Sequence, residues 1–259
     1  MIRATLLLAV LLVRPWGAEP APLLWPLELQ PALSSTFGET RSTAFHAGID
    51  LKTWGKTGYP VRAVADGWIL RVRTSPWGYG RALYQRLADG RIAVYAHLEG
   101  FFEPVRERVG KAQRLSRQYS VQLWLGEGEI PVRRGQVIAF TGQSGAGPPH
   151  LHVEIRDADN VPLNPLLQGL GPVPDTTPPT LRRLLIVPLS ATASVDGGRV
   201  PVVVPVHPVD GGFEASRPVR VWGRIGLAVD SHDRADLATN KMAALQHVLS
   251  LAGRTILTS

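Results

Sequence analysis

Short β-type segments separated by glycine, proline and aspartate turns dominate residues 36–167, and no helical period is sustained there. The clearest of these segments are PVRAVADGWILRVRT at 60–74, RALYQRL at 81–87, RIAVYAHL at 91–98 and QVIAFTG at 136–142. Runs of this length, rich in β-branched and aromatic residues and bounded by turn residues, are typical of strands. The sequence therefore predicts a mainly β domain built from antiparallel sheet.

Two of these segments should be neighbours in one sheet. Asp89 and Gly90 lie between RALYQRL and RIAVYAHL, and glycine accepts the positive φ that a tight hairpin needs. The region 101–131 differs, because its charged stretch VRERVGKAQRLSRQ predicts a short helix and SVQLWL predicts an added strand. We interpret this region as an insertion into the sheet domain.

The N-terminus carries the pattern of an export signal. Residues 1–3 precede an apolar run at 4–13, and Arg14 follows it. A permanent transmembrane anchor is the alternative, but such a helix needs roughly 20 apolar residues. The run therefore predicts a secretory signal peptide at 1–18, cleaved after Ala18. We expect the mature protein to be periplasmic or extracellular, without a stable membrane span.

A proline-rich stretch, GLGPVPDTTPPT at 169–180, separates two β regions and should be an extended linker. It divides the chain into a first domain at 19–168 and a second domain at 181–259. Strand-like runs and Gly-Gly turns in the second region predict an Ig-like β-sandwich. Such a sandwich usually takes about 100 residues, so we expect this one to be truncated or to lack an edge strand.

The composition limits the chemistry that the chain can perform. It contains no cysteine, so cysteine nucleophiles and thiolate zinc sites are excluded, and any metal must be held by histidine or carboxylate. The net charge of +7 suits an anionic polymer such as nucleic acid, a membrane surface or a bacterial wall, although solvated surface charge is the simpler interpretation. No nucleic-acid-binding motif is present, so we expect no nucleic-acid partner.

Four histidines of the first domain fall in three local patterns. In the first, FHAGID places His46 and Asp50 four residues apart, and we expect Gly48 to let the backbone turn so that both side chains converge. Neutral imidazole and carboxylate are good zinc ligands. The alternative for this pattern alone is a simple hydrogen-bonded pair.

The second pattern is HLHVEIRD. Side chains two apart share one face of a strand, so His150, His152 and Glu154 should project together, whereas Leu151 and Val153 should point to an apolar side. The preceding loop GQSGAGPP should leave the strand start open to a ligand, which favours metal binding or catalysis over a pair of surface histidines.

The third pattern is YAHL, in which Tyr95 and His97 are expected to share a face of their strand. A partly buried structural histidine is the alternative for His97 alone. The three patterns together, within a β domain that lacks cysteine, favour one common site.

Six segments carry a family resemblance: FHAGIDL, VRAVADGWI, YAHLEG, VRRGQVIAFTGQSG, HLHVEIRD and PLNP. Over about residues 37–165 the chain resembles the lysostaphin-type zinc metallopeptidases, which cleave peptide bonds in bacterial peptidoglycan. The resemblance implies a β fold of the duplicated hybrid motif type and peptidoglycan as the partner. The Ig-like region more weakly resembles accessory modules found on some of these peptidases.

The resemblance also implies roles for individual residues. His46, Asp50 and His152 would hold one zinc ion with a fourth position left for water, and His97 and His150 would be the catalytic histidines. A zinc ion can lower the pKa of bound water to about 7 and polarise a scissile carbonyl. Each histidine ligand needs an acceptor that fixes its tautomer, for which Glu154 is one candidate and a solvated or ion-paired glutamate the equal alternative.

Two other functions remain open at the level of sequence. One is a non-catalytic wall-binding or hydrolase-activating protein that retains the fold, against which the intact HxxxD and HxH patterns argue. The other is a sugar-transport phosphocarrier, because AVADGWI and RRGQVIAFTG also look like the β-rich hybrid fold of those proteins. The export signal argues against a cytosolic carrier.

Overall fold

The computed structural model describes residues 22–145, 147–210, 212–251 and 253–258. The predicted signal peptide at 1–18 lies outside these residues. Among the described residues, no helix is long and apolar enough to cross a membrane.

The first region contains short strands and one helix. They are β1 (Leu33–Ser35), β2 (Ile49–Lys52), β3 (Pro60–Arg62), β4 (Gly67–Thr74), β5 (Ala82–Leu87), β6 (Ile92–Ala96), β7 (Leu98–Phe101), α1 (Val105–Ser116), β8 (Val121–Trp124), β9 (Pro131–Val132), β10 (Val137–Thr141), β11 (His150–Arg156) and β12 (Pro162–Leu163). After residues 170–179, which form neither helix nor strand, the second region contains strands alone. They are β13 (Thr180–Pro188), β14 (Ser194–Val195), β15 (Val202–Val209), β16 (Gly212–Ala215), β17 (Val221–Trp222), β18 (Ile225–His232), β19 (Val248–Leu251) and β20 (Arg254–Thr258).

Two antiparallel sheets form the first region. The larger has the order β1-β2-β11-β6-β5-β4-β8, with β12 beside β11 and β9 beside β4, and the smaller has the order β3-β10-β7. The prediction of a mainly β, antiparallel fold is confirmed. β5 pairs with β6 as the Asp89-Gly90 turn predicts, and Gly90 has a φ of 92°.

The region 101–131 contains the predicted helix and added strand. α1 buries only Val105 and Val109 in the core, and β8 pairs with β4 at one edge of the large sheet. Attaching at an edge leaves the hydrogen bonds between the central strands undisturbed.

The main core lies between the two sheets. Ile69 and Leu83 of the large sheet and Val61 and Ile138 of the small sheet are fully buried in one apolar cluster. A fully buried aliphatic side chain contributes roughly 1.5–3 kcal/mol to stability, so this cluster fixes the relative position of the sheets. Every second residue of a strand points to the other face, where a smaller apolar cluster on β5 and β6 lies beside the polar side chains of β11.

The second region is built on a four-stranded antiparallel sheet with the order β16-β15-β13-β18. Its small core contains Ile186 and Val204, on which Val195 of β14 packs. The Ig-like sandwich and the predicted domain limits stay predictions. Two residues of this region, Ala235 and Met242, are buried in the core of the first region.

Candidate metal centre

Three side chains of the first region converge on one point. β2 and β11 are neighbours, and their register places Asp50 directly opposite His152. His46 Nε2 lies 3.0 Å from His152 Nδ1 and 3.2 Å from Asp50 Oδ1. His152 Nδ1 and Asp50 Oδ1 are 2.9 Å apart. Ligand atoms around a tetrahedral zinc ion are about 3.3 Å apart, so these three atoms have the spacing of a metal site.

Hydrogen bonds orient both imidazoles toward this point. His46 Nδ1 lies 2.7 Å from the Thr36 carbonyl oxygen, and His152 Nε2 lies 2.9 Å from Glu154 Oε1. Carbonyl and carboxylate oxygens only accept hydrogen bonds, so each of these nitrogens must be the donor. The other nitrogen of each ring, His46 Nε2 and His152 Nδ1, then faces the shared point, as a metal ligand must.

The electrostatics of the cluster suit a cation. Burial by itself raises the pKa of the Asp50 carboxyl, but hydrogen bonds from His152 and His46 outweigh it and hold that pKa far below its usual range. Burial by itself lowers the pKa of His152, yet hydrogen bonds to Asp50 and Glu154 raise it to about 9. Two carboxylates therefore favour positive charge at this position, which a proton or a metal ion can supply.

Glu154 is fully buried and accepts a hydrogen bond from His152 Nε2, the role for which its position in the sequence made it one candidate. Its carboxylate also accepts hydrogen bonds from Tyr79 Oη and Arg156 Nε. Burial raises the Glu154 pKa, but hydrogen bonds from His152 and Arg156 lower it below its usual value. The solvated alternative for Glu154 is wrong, and its ion pair with Arg156 accompanies the contact with His152.

His97 and His150 flank the convergent cluster. Their ring centroids are 4.6 Å apart, and His150 Nε2 lies 3.6 Å from Asp50 Oδ1. Each donates from Nδ1 to a backbone carbonyl, His97 to Ser144 at 2.9 Å and His150 to Pro148 at 2.7 Å. Both rings in this tautomer keep an unprotonated Nε2. Burial lowers the pKa of His97 to about 4, which keeps its ring neutral at neutral pH.

Two local expectations need correction. Tyr95 and His97 do not share a face: Tyr95 lies in the core between the sheets, whereas the His97 ring lies beside His150. The reason is a left-handed backbone at His97, with φ of 58°, which interrupts the strand alternation. The second expectation concerned Gly48, which has no positive φ; its role is close packing, because a Cβ there would clash with the backbone of Val153 on β11.

The cluster lies at the bottom of an open groove of about 1080 Å³. The groove is lined by Arg41, Lys52 and Trp77 of the first region, and also by Asn240 and Lys241 of the second. Sequence reasoning missed the last two residues, since no local pattern marks them. It also missed Tyr79, whereas Arg156 could have been found from its position two residues after Glu154 on the same strand.

No family model matches the chain. Over 133 residues it is 35% identical to the DD-carboxypeptidase/endopeptidase Mpg of Neisseria meningitidis serogroup B, an alignment that covers 51% of this chain. The predicted resemblance to the lysostaphin-type metallopeptidases is confirmed. The alignment spans only 24% of that relative's length, and the protein of the same description from Neisseria gonorrhoeae is 34% identical over the same extent.

Solved peptidase structures are similar to part of the chain. A zinc-containing peptidase from Vibrio cholerae is 23% identical, with a TM-score of 0.43, and the match covers 60% of this chain and 41% of that one. The catalytic domain of lysostaphin from Staphylococcus simulans is 21% identical, with a TM-score of 0.39, covering 53% of this chain and 90% of that one.

Proposed function

We propose that this protein is a zinc-dependent endopeptidase that hydrolyses peptide bonds of bacterial peptidoglycan in the periplasm or outside the cell. The observation that carries the proposal is the convergence of His46 Nε2, Asp50 Oδ1 and His152 Nδ1, with two further imidazoles beside them. The similarity to a DD-carboxypeptidase/endopeptidase supports the same reaction class.

His46, Asp50 and His152 are assigned as ligands of one zinc ion. When bound, the ion supplies an open coordination position, a lowered pKa for water and a polarised carbonyl. Two histidines and one carboxylate leave such a site with net positive charge, which is the ligand pattern of catalytic rather than structural zinc.

His97 and His150 are assigned as the catalytic histidines. Each keeps Nε2 available because its Nδ1 is committed to a backbone carbonyl. A neutral imidazole at neutral pH can accept the proton of the attacking water, and an imidazolium can then protonate the leaving amine. Burial lowers the pKa of His97 to about 4, so its ring is neutral over the physiological range.

The groove supports a large substrate. Phe45, Trp54 and Trp77 line it with exposed fractions of 72%, 53% and 78%. Large aromatic side chains that remain this exposed are typical of binding surfaces, where they pack on apolar faces of a ligand. A polymer with peptide and sugar parts fits such a groove better than a single small molecule.

Metal analysis combined with digestion of purified sacculi tests the proposal. His152→Ala is expected to lose both zinc and hydrolysis, whereas His97→Ala should retain zinc and lose most of the activity. His207→Ala, on β15 of the second region, is the control and should change neither. A fully active His152→Ala protein would refute the assignment, and zinc binding without release of peptide fragments would favour the non-catalytic wall protein.

A further inference from the structure

A closed loop of the second region forms part of the groove wall. The loop spans residues 233–242, and its ends are tied by two backbone hydrogen bonds between Asp233 and Met242, at 2.8 and 2.9 Å. Asn240 and Lys241 immediately precede Met242 and line the groove. Because its ends are fixed, the loop presents these two residues in a defined position.

The first region holds this loop by apolar and polar contacts. Met242 is only 5% exposed and packs in the main core, which includes Leu33 of β1. The backbone N–H of Ala243 donates to Thr36 Oγ1 at 3.1 Å, and the same hydroxyl donates to the Ala243 carbonyl at 3.2 Å. Thr36 is also the residue whose carbonyl orients His46. The loop is therefore attached next to the metal centre.

A further hydrogen bond ties the loop to the strand that carries Asp50. Lys52 lies two residues after Asp50 on β2, so both side chains point to the same face. Lys52 Nζ donates to Asn240 Oδ1 at 2.7 Å, and Asn240 Nδ2 donates to the Ser34 carbonyl at 3.4 Å. These contacts place the neighbouring Lys241 on the groove side of the loop.

The positively charged side chains along the groove differ in whether they have a partner within the protein. Arg41 lies 3.5 Å from carboxylate oxygens of both Glu39 and Asp50, and Lys52 is bonded to Asn240. Arg73 and Lys241 also line the groove, and within the described part of the chain neither makes an ion pair; of the two, Lys241 is exposed and Arg73 is half-buried. A groove-lining cation without a carboxylate of its own is suited to bind a carboxylate of the ligand.

We propose that the loop 233–242 of the second region completes the substrate groove and that Lys241 binds a free carboxylate of a peptide substrate. The inference rests on the proposed peptidase function and makes it more specific: the preferred substrates are acidic peptides. The carboxylate can stand at the C-terminus of the peptide or on a side branch, and the chemistry of recognition is the same for both.

Peptide binding to the full chain tests this without depending on turnover. The probes are three fluorescently labelled pentapeptides ending in D-Ala-D-Ala with a γ-linked D-glutamate: one fully charged, one amidated at the C-terminus and one amidated at the free glutamate carboxyl. Dissociation constants are measured by anisotropy in the His97→Ala chain with zinc present, alone and combined with Lys241→Ala, Lys241→Arg or Lys111→Ala. Lys111 is an exposed lysine of α1 outside the groove and serves as the matched control.

Lys241→Ala is expected to weaken binding of the fully charged peptide about tenfold, because one charge-assisted contact at an exposed site is lost. In Lys241→Arg and Lys111→Ala the dissociation constant of this peptide should stay within about twofold of the parent value. One amidated peptide should bind the parent as weakly as the charged peptide binds Lys241→Ala, which identifies the recognised carboxylate. An unchanged affinity in Lys241→Ala, an equal loss for all three peptides, or no measurable binding to the parent overturns the inference.

A separate measurement distinguishes failure of the proposed peptidase function from failure of the carboxylate site. Hydrolysis of sacculi and zinc content are measured on the unaltered chain and on Lys241→Ala. A chain that discriminates the peptides through Lys241 but hydrolyses nothing refutes the peptidase function and leaves the carboxylate site standing. A chain that hydrolyses sacculi and is indifferent to Lys241→Ala in both assays refutes the carboxylate site alone.

Discussion

Replacement of Glu154 by glutamine tests the hydrogen-bond network that orients His152. The Glu154 carboxylate faces His152 Nε2 and Tyr79 Oη with one oxygen and Arg156 with the other. A glutamine keeps the shape but offers one acceptor and one donor. If its oxygen faces His152, its NH₂ group opposes the Arg156 guanidinium. If it flips, its NH₂ group opposes His152 Nε2 and forces the proton onto Nδ1, the nitrogen assigned to the metal.

Either orientation loses at least one hydrogen bond to a charged group. Such bonds contribute about 1.5–3 kcal/mol each, so we expect the free energy of unfolding of the metal-free chain to fall by about 2 kcal/mol. Loss of the group that orients a histidine ligand typically costs 10–100-fold in metal affinity. We therefore expect zinc affinity in Glu154→Gln to fall by about 10–100-fold, equivalent to about 1.4–2.7 kcal/mol.

Competition with a zinc-binding dye measures the affinity, and denaturant unfolding of the metal-free protein measures the stability. Tyr79→Phe is the matched control, because it removes one donor to the same carboxylate but keeps the charge that fixes the His152 tautomer. We expect it to change zinc affinity by less than about threefold. A folded Glu154→Gln protein that binds zinc as tightly as the parent would show that the carboxylate does not set the tautomer.

Three further predictions concern pH and packing. Zinc needs a neutral His152 Nδ1, so binding below the His152 pKa of about 9 must displace a proton, and zinc affinity should rise about tenfold per pH unit up to that value. A competition titration that is flat between pH 7 and 9 would contradict this. Gly48→Ala should lower the free energy of unfolding in urea by more than about 3 kcal/mol, since the added Cβ meets the backbone of Val153. Gly100→Ala is the control: there is open space around Gly100, so the free energy of unfolding should change by less than about 1 kcal/mol. Tyr95→Phe should lower the free energy of unfolding by about 1–3 kcal/mol, because the two buried partners of the Tyr95 hydroxyl each lose a hydrogen bond. Its zinc content should stay unchanged. A simultaneous loss of zinc would show that the core and the site are not independent.

The sequence predicted the part of the site that depends on local periodicity. His150, His152 and Glu154 lie on one strand, so the two-residue repeat alone places them together. The same rule failed at Tyr95 and His97, because a single left-handed residue reverses the side on which a side chain emerges. No local pattern reveals that reversal.

Other parts of the site depend on contacts between distant segments. Asp50 faces His152 only because β2 pairs with β11 in one register, and 102 residues separate them in the chain. The carbonyl that orients His46 belongs to Thr36, and backbone groups carry no sequence signature. Lys241 reaches the groove through a loop of the second region, which was expected to be a separate module.

The pairing of β2 with β11 offers a way to detect whether these strands have folded in the correct register. A slip of one residue between these strands would turn Asp50 away from His152 and put an apolar neighbour in its place. Mispaired chains would then be unable to capture an ion, whatever their compactness. With zinc held by these residues as proposed, metal loading reports correct strand alignment in refolding experiments.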